Sequence, residues 1–421
     1  MNKMKKLLML GGRYQACREI IEYAHNNNIY IIVTDNYPIE QSFAKALADE
    51  YWMISSGDID TLEKKCIEES IDGVICGISE YNIEQCIELS RRLGKPFYCE
   101  KEPFSFSRDK LKFRMQCDKV GVPMATYYHI TPEFKKEDVD NVKFPVVVKP
   151  VDRNANRGIS FCENVEELRE AVKVAHETSY CGRILAERRL IGQEYFAYYA
   201  MANGQVSFLG MGAMCSQPGY PYNCYVVGSS HSKEFYHYRD EINDKLIELL
   251  KSMDCKEGYA WFELILDQDG HFYVLEMGYR LAGTLTFLSQ KDVTGFDPIK
   301  WIVDISLGVK HTERDLPVSA TEPYEGIYSY YSIWNKNAGT VGEIKGIDVL
   351  ERIPGMYVSF VAKEGDTYEQ YRHIGTVVFS AKGMDELIEK MELIRTTLVV
   401  NNEDGESMPI YFTNYAHLLE V

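Results

Sequence analysis

The sequence predicts an α/β fold in its first 105 residues and a mixed α/β and α+β fold in the rest of the chain. Three observations carry this prediction. Short apolar strands alternate with amphipathic helices near the start, a long antiparallel hairpin follows in the middle, and strands precede a helix near the end. With 421 residues, the chain is long enough for two or three domains.

The first part, residues 1–105, reads as a parallel sheet covered by helices. Alternation of strands with helices indicates parallel pairing, because each crossover returns the chain to the same edge of the sheet. We predict strands over 6–10, 29–34, 73–76 and 95–98, and helices over 14–26, 61–69 and 81–93.

A dinucleotide site in this part is not favoured by the sequence. Asp35 follows the second strand, where a ribose-binding acid would lie. However, the first turn, Gly11 to Ala16, lacks the GxGxxG spacing that lets the backbone approach a pyrophosphate. We therefore expect a doubly wound scaffold with a small-ligand cleft of its own.

The second part, residues 106–315, holds most of the motifs that could carry chemistry. A helix is predicted over 107–121 with Ser107 as its N-cap, and the charged segment 134–143 reads as a loop or a poor helix. An Asp-Gln-Asp-Gly turn at 267–270 predicts a hairpin. The two strands of this hairpin would cover 259–266 and 271–276. The other elements predicted before the hairpin are strands over 144–149, 183–187, 194–202 and 206–215 and helices over 165–176 and 241–253.

The third part, residues 316–421, reads as a small α+β domain after a linker near 311–326. That linker contains Asp, Pro, Ser and Thr without periodicity. Strand signals lie near 326–333, 356–362 and 376–381, and a helix is predicted over 384–397.

Composition excludes several classes of protein. The 46 Lys and Arg against 63 Asp and Glu give a net charge of −17, which disfavours binding to nucleic acid or to an anionic membrane. No apolar run reaches the roughly 18 residues that a membrane span requires, and the apolar run after Lys6 is too short for a signal peptide. The 11 cysteines form no CxxC pair, which indicates a reducing cytoplasm rather than a disulfide framework or a zinc site.

The first candidate site motif is the strand Phe144 to Pro150, which contains Lys149. A lysine in an apolar strand is costly unless its ammonium meets an anion. The loop that follows ends at Gly158, and strand, lysine and polar loop together suit a phosphate clamp. The alternative is a lysine at a strand end that extends to water.

The second motif is Ala186 to Glu194, in which Glu187 and Glu194 flank a predicted turn at Gly192. The two glutamates could accept hydrogen bonds from an adenine amine and from ribose hydroxyls. A charged surface turn would look the same.

The third motif is the predicted hairpin, which places Glu263 and Glu276 on adjacent strands among apolar residues. Two carboxylates in such a setting repel each other unless they share a cation, and Mg²⁺ takes carboxylate together with phosphate oxygens. Arg280 follows closely and suits an oxyanion. The alternative is that one glutamate faces water.

In this order, the motifs resemble the ATP-grasp superfamily, particularly the ligases related to biotin carboxylase, carbamoyl-phosphate synthase, phosphoribosylglycinamide synthetase and bacterial L-amino acid ligases. The resemblance covers nearly the whole chain. It implies a Rossmann-like pre-ATP-grasp domain over 1–105, an ATP-grasp domain over 106–315 and a C-terminal domain over 316–421 that completes the module. It also implies a lid subdomain at about 120–190 within the ATP-grasp domain.

The resemblance also implies roles for individual residues. Lys110 and Lys149 would contact the ATP phosphates, and the loop 152–158, with Arg157 and Gly158, would be the flap above them. Residues 187–190, which include Glu187, Arg188 and Leu190, would form the adenine hinge, and Glu194 would bind ribose. Glu263 and Glu276 would hold Mg²⁺, with Mn²⁺ as an alternative, and Arg280 and Lys149 would act in catalysis.

Two departures from the family pattern stand out. Gly278 and Tyr279 occupy positions where the family usually has Asn, a metal ligand, and then Pro. The flap, usually glycine-rich, here contains Asn154, Asn156 and Arg157. Because Lys149, Glu263 and Glu276 are present, ATP binding is still expected.

The implied reaction is ATP-dependent joining of a small carboxylate to an amine through an acyl phosphate, with an amino acid as the first candidate substrate. The stretch 215–231, with its tyrosines and His231, would lie near the acceptor pocket or be a surface loop. The alternatives are an enzyme like phosphoribosylglycinamide synthetase, one like carbamoyl-phosphate synthase, or an ATP-binding sensor or scaffold without turnover. Relatives are often homodimers, which leaves a homodimer open for this chain.

Overall fold

The computed structural model describes residues 4–13, 16–131, 133–153, 157–221 and 223–421. The first part contains the predicted parallel sheet, with strand order β3-β2-β1-β4. Its strands are almost continuously apolar, as expected for strands that helices cover on both faces. The elements are β1 (Lys5–Leu10), α1 (Cys17–Asn26), β2 (Ile29–Thr34), α2 (Ala44–Leu47), β3 (Glu50–Trp52), α3 (Ile59–Glu68), β4 (Gly73–Cys76) and α4 (Glu80–Leu93).

Asp35, at the end of β2, is fully engaged inside this first part. Its carboxylate accepts hydrogen bonds from the Gly12 N–H at 2.9 Å and the Ser42 hydroxyl at 2.6 Å, and it pairs with the buried Lys45 ammonium at 2.7 Å. The side chain therefore stabilises the loops at the carboxyl edge of the sheet. Of the predicted helix 14–26, residues 14 and 15 lie outside the described residues.

Two local predictions are wrong. Residues 95–98 form no strand, because Tyr98 packs against Gly258 and its carbonyl accepts a hydrogen bond from the Tyr279 hydroxyl instead of from a neighbouring strand. The helix predicted over 107–121 is two helices that break at Asp109. Asp109, not Ser107, is the N-cap of the second helix, and its carboxylate accepts from the N–H groups of Leu111 and Lys112 at 3.0 Å.

The middle part contains a small sheet with strand order β5-β8-β6-β7, formed between residues 127 and 188. This sheet packs against α8 around its own hydrophobic core, which includes Val146, Val148 and Leu168. The segment is the one predicted as a lid. Its elements, with the two preceding helices, are α5 (Lys101–Arg108), α6 (Lys110–Val120), β5 (Tyr127–Tyr128), α7 (Lys136–Val139), β6 (Val146–Pro150), β7 (Ser160–Cys162), α8 (Val165–Thr178) and β8 (Ile184–Arg188).

A long antiparallel sheet forms the centre of the molecule, with strand order β13-β12-β9-β10-β11-β14-β18-β16. One large hydrophobic core joins this sheet to the first part of the chain. The elements of the middle part are β9 (Gly192–Ala202), β10 (Gln205–Ser216), β11 (Tyr225–Ser229), α9 (Phe235–Tyr238), α10 (Asp244–Ser252), β12 (Gly258–Asp267), β13 (Phe272–Gly278), α11 (Phe287–Thr294) and α12 (Pro298–Ser306).

The C-terminal part continues the central sheet. Residues 311–326, the segment predicted as a linker, contain no helix or strand, and β14 after them pairs with β11 and with β18. The predicted boundary at 315 therefore divides one sheet. The remaining elements are β14 (Ile327–Trp334), β15 (Gly339–Lys345), α13 (Ile347–Glu351), β16 (Met356–Phe360), β17 (Thr367–Tyr368), β18 (His373–Ala381), α14 (Met384–Thr397), β19 (Val399–Asn402) and α15 (Tyr415–Leu418).

Among the residues that the structure describes, no helix is long and apolar enough to cross a membrane. The 11 cysteines, which all lie within the described ranges, form no disulfide, and Cys181 alone among them is exposed.

Candidate functional site

The hairpin β12–β13 pairs the two glutamates predicted as metal ligands. Glu263 lies directly opposite Glu276, and the register shifts immediately after Glu263. The hairpin closes through hydrogen bonds from the Gly270 N–H to the Asp267 carbonyl and from the Asp267 N–H to the His271 carbonyl, as the Asp-Gly turn predicts. Because paired residues on antiparallel strands face the same side, both carboxylates project from one face of the central sheet.

A third carboxylate, that of Glu194 on β9, faces this pair. Burial, together with the charges of Glu276 and Glu194, raises the pKa of Glu263 well above its usual range, although Arg280 and Lys110 oppose the shift. Burial also raises the pKa of Glu194 to about 7, against a hydrogen bond from Tyr225. This excess of negative charge in a desolvated place fits a cation.

The donor set suits Mg²⁺ bound together with phosphate oxygens. Within the described residues, no group of three or more His, Cys, Asp or Glu side chains is arranged to hold a metal alone. Glu263 and Glu276 would therefore supply two carboxylates, and a phosphate-bearing ligand would complete the coordination.

Lys110 connects this hairpin to the loop predicted as the flap. It is the first residue of α6, and its Nζ donates to the Arg153 carbonyl at 2.8 Å and lies 3.8 Å from Glu276 Oε2. An ammonium between two carboxylates and a polar loop suits an anionic ligand.

Lys149 and Glu187 lie together in the lid sheet, because β6 and β8 are adjacent strands. The Lys149 ammonium forms an ion pair with Glu187 Oε1, and the Arg114 guanidinium of α6 donates to Glu187 Oε2. All three side chains are almost completely buried. Arg114 could not be recognised from the sequence, since it lies 73 positions before its partner and belongs to no motif.

The hinge residues after Glu187 are fixed to the turn of the β12–β13 hairpin. Arg188 Nη1 donates to Asp267 Oδ2 at 2.8 Å, and the Ile191 N–H donates to Asp267 Oδ1 at 2.7 Å. The Arg188 side chain is thus committed to Asp267, while Leu190 stays partly exposed. These contacts tie the hinge segment to the strand that carries Glu263.

The loop predicted as the flap is described at both ends, and Asn154 and Asn156 lie outside the described residues. At its start, the Asp152 carboxylate accepts from the Cys181 N–H at 2.9 Å. At its end, Gly158 has a positive φ of 74°, and a Cβ there would lie 2.9 Å from Pro150. The neighbouring Arg157 is exposed.

Arg280 follows β13 and reaches the first part of the chain. Its Nη2 lies 3.3 Å from Glu80 Oε1 at the start of α4, and its guanidinium lies 5.1 Å from the ring centroid of Trp261. The same indole covers the backbone of Gly278, the position where the family usually has Asn. Neither Glu80 nor Trp261 belongs to a sequence motif, so neither could be recognised from the sequence.

The stretch 215–231 runs from the end of β10 to just beyond β11. Gln217 exchanges hydrogen bonds with Thr413 near the C-terminus, so the loop is attached to the last residues of the chain. The Tyr225 side chain forms a hydrogen bond with Glu194. Burial lowers the pKa of His231. Tyr222 lies outside the described residues. The stretch is therefore adjacent to the carboxylate cluster through Tyr225.

The family model that matches is described as "Carbamoyl-phosphate synthase L chain, ATP binding domain", and it covers residues 109–314. A carbamoyl phosphate synthase large chain from Thermoanaerobacter sp. is 21% identical over 324 residues, which are 72% of this chain and 29% of that protein. The N-terminal section of the Aquifex aeolicus large chain is 24% identical over 49% of this chain and covers 38% of that protein. The chain thus spans about a third of the curated relatives that it matches.

Solved structures show the same fold over nearly the whole chain. An L-amino acid ligase from Bacillus licheniformis has a TM-score of 0.75 at 18% identity, with 96% of this chain and all of that chain covered. A biotin carboxylase domain of Hydrogenobacter thermophilus 2-oxoglutarate carboxylase, in complex with MgADP and bicarbonate, has a TM-score of 0.75 at 17% identity, with 97% and 92% covered. Phosphoribosylglycinamide synthetase from Anaerococcus prevotii has a TM-score of 0.72 at 17% identity, with 95% and 100% covered.

These relatives and neighbours are ATP-grasp enzymes, and they confirm the resemblance that the motifs predicted. Residues 109–314, just under half of the chain, match the ATP-binding domain of the carbamoyl-phosphate synthase large chain, and the chain has the fold of the ATP-grasp enzymes.

Proposed function

We propose that this protein is an ATP-dependent ligase that joins a small carboxylate to an amine through an acyl phosphate. The observation that carries the proposal is the pairing of Glu263 with Glu276 across the hairpin, with the positive charges of Lys110 and Arg280 near enough to act on Glu263. Two carboxylates for a cation and two positive side chains for anions form a suitable setting for phosphoryl transfer.

ATP would lie between the lid sheet and the central sheet. The segment 187–190 would contact adenine, Glu194 would accept from ribose hydroxyls, and Lys110 and Lys149 would neutralise phosphate charge. Mg²⁺, held by Glu263 and Glu276, would neutralise charge on the phosphates during transfer. The loop 152–158 would cover the phosphates, with Arg157 and Gly158 at its end.

In the first step, a substrate carboxylate oxygen attacks the γ-phosphorus in line, and the bond from that phosphorus to the β,γ-bridging oxygen breaks to release ADP. In the second step, the amine attacks the acyl carbon, loses a proton and expels phosphate. Arg280 would hold the negatively charged oxygens in both steps. Closure of the loop 152–158 would exclude water, which otherwise hydrolyses the acyl phosphate.

ADP release from MgATP tests the proposal, with pools of amino acids, other small carboxylates and amines as substrates. We expect release that requires one carboxylate and one amine, and mass spectrometry should identify the amide product. Glu276→Ala should abolish the release, whereas Asp269→Asn, an exposed carboxylate in the turn of the same hairpin, should retain it. Full activity of Glu276→Ala would contradict the metal assignment.

A second candidate function, binding of ATP without turnover, is favoured by the indole of Trp261 over Gly278. Tight MgATP binding with no ADP release from any pool would support it. The same screen distinguishes two further reactions. ADP release that requires glycine and a phosphoribosylamine would indicate a reaction like that of phosphoribosylglycinamide synthetase, and ADP release that requires bicarbonate and ammonia would indicate one like that of carbamoyl-phosphate synthase. Sedimentation of the purified protein would show whether it forms a homodimer.

A further inference from the structure

The guanidinium of Arg280 is held from two sides. One face lies over the Trp261 ring, 5.1 Å from its centroid. Its Nε and Nη2 donate to Glu80 Oε1 at 3.4 and 3.3 Å, and its Nη1 donates to the Leu281 carbonyl at 3.0 Å. The Arg280 and Glu80 side chains are only 16% and 13% exposed, so this pair is weakly screened by water.

The number of N–H donors on the guanidinium shows which of them could still bind a ligand. A guanidinium has one N–H on Nε and two on each Nη. The described bonds to Glu80 and Leu281 take the Nε hydrogen and one hydrogen on each Nη. These bonds do not use the second N–H on Nη1 and on Nη2, and two such neighbouring N–H groups can form the parallel fork that suits two oxygens of a carboxylate or phosphate.

Glu80 is itself fixed by the first part of the chain. It is the first residue of α4, and the Ser79 hydroxyl caps that helix by accepting from the Asn82 N–H. Its other oxygen, Oε2, accepts from the Arg108 guanidinium at the end of α5. Because Glu80 lies at the start of a helix and also binds Arg108, its carboxylate is held in place beside Arg280.

We propose that Glu80 is a positioning residue for the reaction. It holds the Nε edge of Arg280 and thereby presents the Nη1–Nη2 fork to the oxygens of the substrate carboxylate and of the acyl phosphate. The proposal rests on the proposed function, and it gives the N-terminal sheet domain a direct part in the chemistry. Glu80 touches no reacting atom, because it acts through Arg280.

The first test compares Glu80→Gln and Glu80→Ala with Glu84→Gln in the full chain. Glu84 is the matched control, because it lies one turn further along α4, is 44% exposed and pairs with Arg108 rather than with Arg280. Misplacement of a charged group by about 1 Å can cost about 100-fold in rate. We therefore expect kcat to fall about 10-fold for the Gln variant and about 100-fold for the Ala variant, with KM for ATP and the melting temperature nearly unchanged.

A structural role alone would give a different pattern. Loss of the contact between the start of α4 and the segment that follows β13 would lower the melting temperature and raise KM for every substrate together. That pattern, or equal kcat values for the Glu80 and Glu84 variants, would overturn the proposal.

The second test needs no turnover. Inorganic phosphate is titrated calorimetrically into protein saturated with MgADP, because phosphate is an oxyanion that the Arg280 fork would bind. We expect Glu80→Ala to weaken phosphate binding at least 5-fold, and Glu84→Gln to leave it unchanged. Equal affinity in the wild type and Glu80→Ala, or no phosphate binding in the wild type, would overturn the proposal. Failure of the proposed function would instead show as no carboxylate-dependent ADP release by the wild type.

Discussion

The Trp261 indole lies directly above Gly278 on the neighbouring strand, so that a Cβ at position 278 would stand 2.2 Å from the ring atom Cε2. No side chain fits there without movement of the ring or the backbone. The chain therefore departs from the family pattern at two positions that are in contact. Gly278 replaces the metal-ligand Asn, and Trp261 fills the space that the Asn side chain would need.

Gly278→Asn should destabilise the protein, since the new side chain must displace the indole. Overpacking of this kind costs about 1–3 kcal/mol, and chemical denaturation measures the loss. Gly383→Asn is the control, because Gly383 is extended with nothing within 4 Å of its Cβ position. The double variant Trp261→Ala with Gly278→Asn should recover part of the stability lost through the clash. A single Gly278→Asn variant as stable as the wild type would contradict the observed contact.

Glu263→Gln should stabilise the metal-free protein and abolish turnover. Its charged form is disfavoured by burial and by the charges of Glu276 and Glu194, so an amide of the same shape removes a repulsion. We expect a gain of about 1 kcal/mol in the free energy of unfolding at pH 8 in EDTA, on the scale of charge removal at functional sites. Added Mg²⁺ and ATP should stabilise the wild type more than the variant. A less stable variant in EDTA would show that Glu263 is not repelled by its neighbours.

Glu187→Gln should destabilise the lid sheet strongly. The substitution leaves the buried cations of Arg114 and Lys149 without their shared carboxylate. Removal of one partner from a buried ion pair costs about 3–5 kcal/mol. Glu163→Gln, whose exposed side chain pairs with Arg189, should change stability by no more than about 0.5 kcal/mol, as is usual at surface sites. Equal melting curves for the two variants would contradict the prediction.

Acid should destabilise the protein partly through His373 on β18. Burial lowers the pKa of His373 to about 4, whereas the unfolded chain has a histidine pKa near 6.5. Between these values the unfolded state binds a proton that the folded state does not, so the free energy of unfolding falls as the pH falls from about 6.5 toward 4. His373→Gln should flatten this part of the profile, which denaturation at pH 7 and pH 5 would measure. An unchanged difference in the free energy of unfolding between pH 7 and pH 5 would show that groups other than His373 cause the loss of stability in acid.

Local signals in the sequence were enough to predict the hairpin and the pair of glutamates. The Asp-Gly turn defined the connection and placed Glu263 and Glu276 on adjacent strands, but their direct pairing depends on the register shift after Glu263, which the sequence does not reveal. Local signals misled where two helices follow each other closely. Residues 107–110, Ser-Arg-Asp-Lys, contain no Gly or Pro that would mark the end of a helix, and only the capping hydrogen bonds of Asp109 reveal the break.

The residues that hold the site residues in place could not be predicted from the same local signals. Glu80 and Arg280 are 200 positions apart, and Arg114 is 73 positions from Glu187, so only the packing of whole domains brings them together. The Trp261–Gly278 contact depends on strand register, which a single tryptophan in an apolar run does not reveal.

The continuity of the central sheet across the linker limits how this protein can be taken apart. A fragment that ended at residue 315 would lack β14, and the backbone groups of β11 that pair with it would be left as an open edge. Such an edge recruits other chains and favours aggregation. Recombination with related enzymes should therefore exchange the strands on both sides of the linker as one cassette, with no crossover point between β9 and β18.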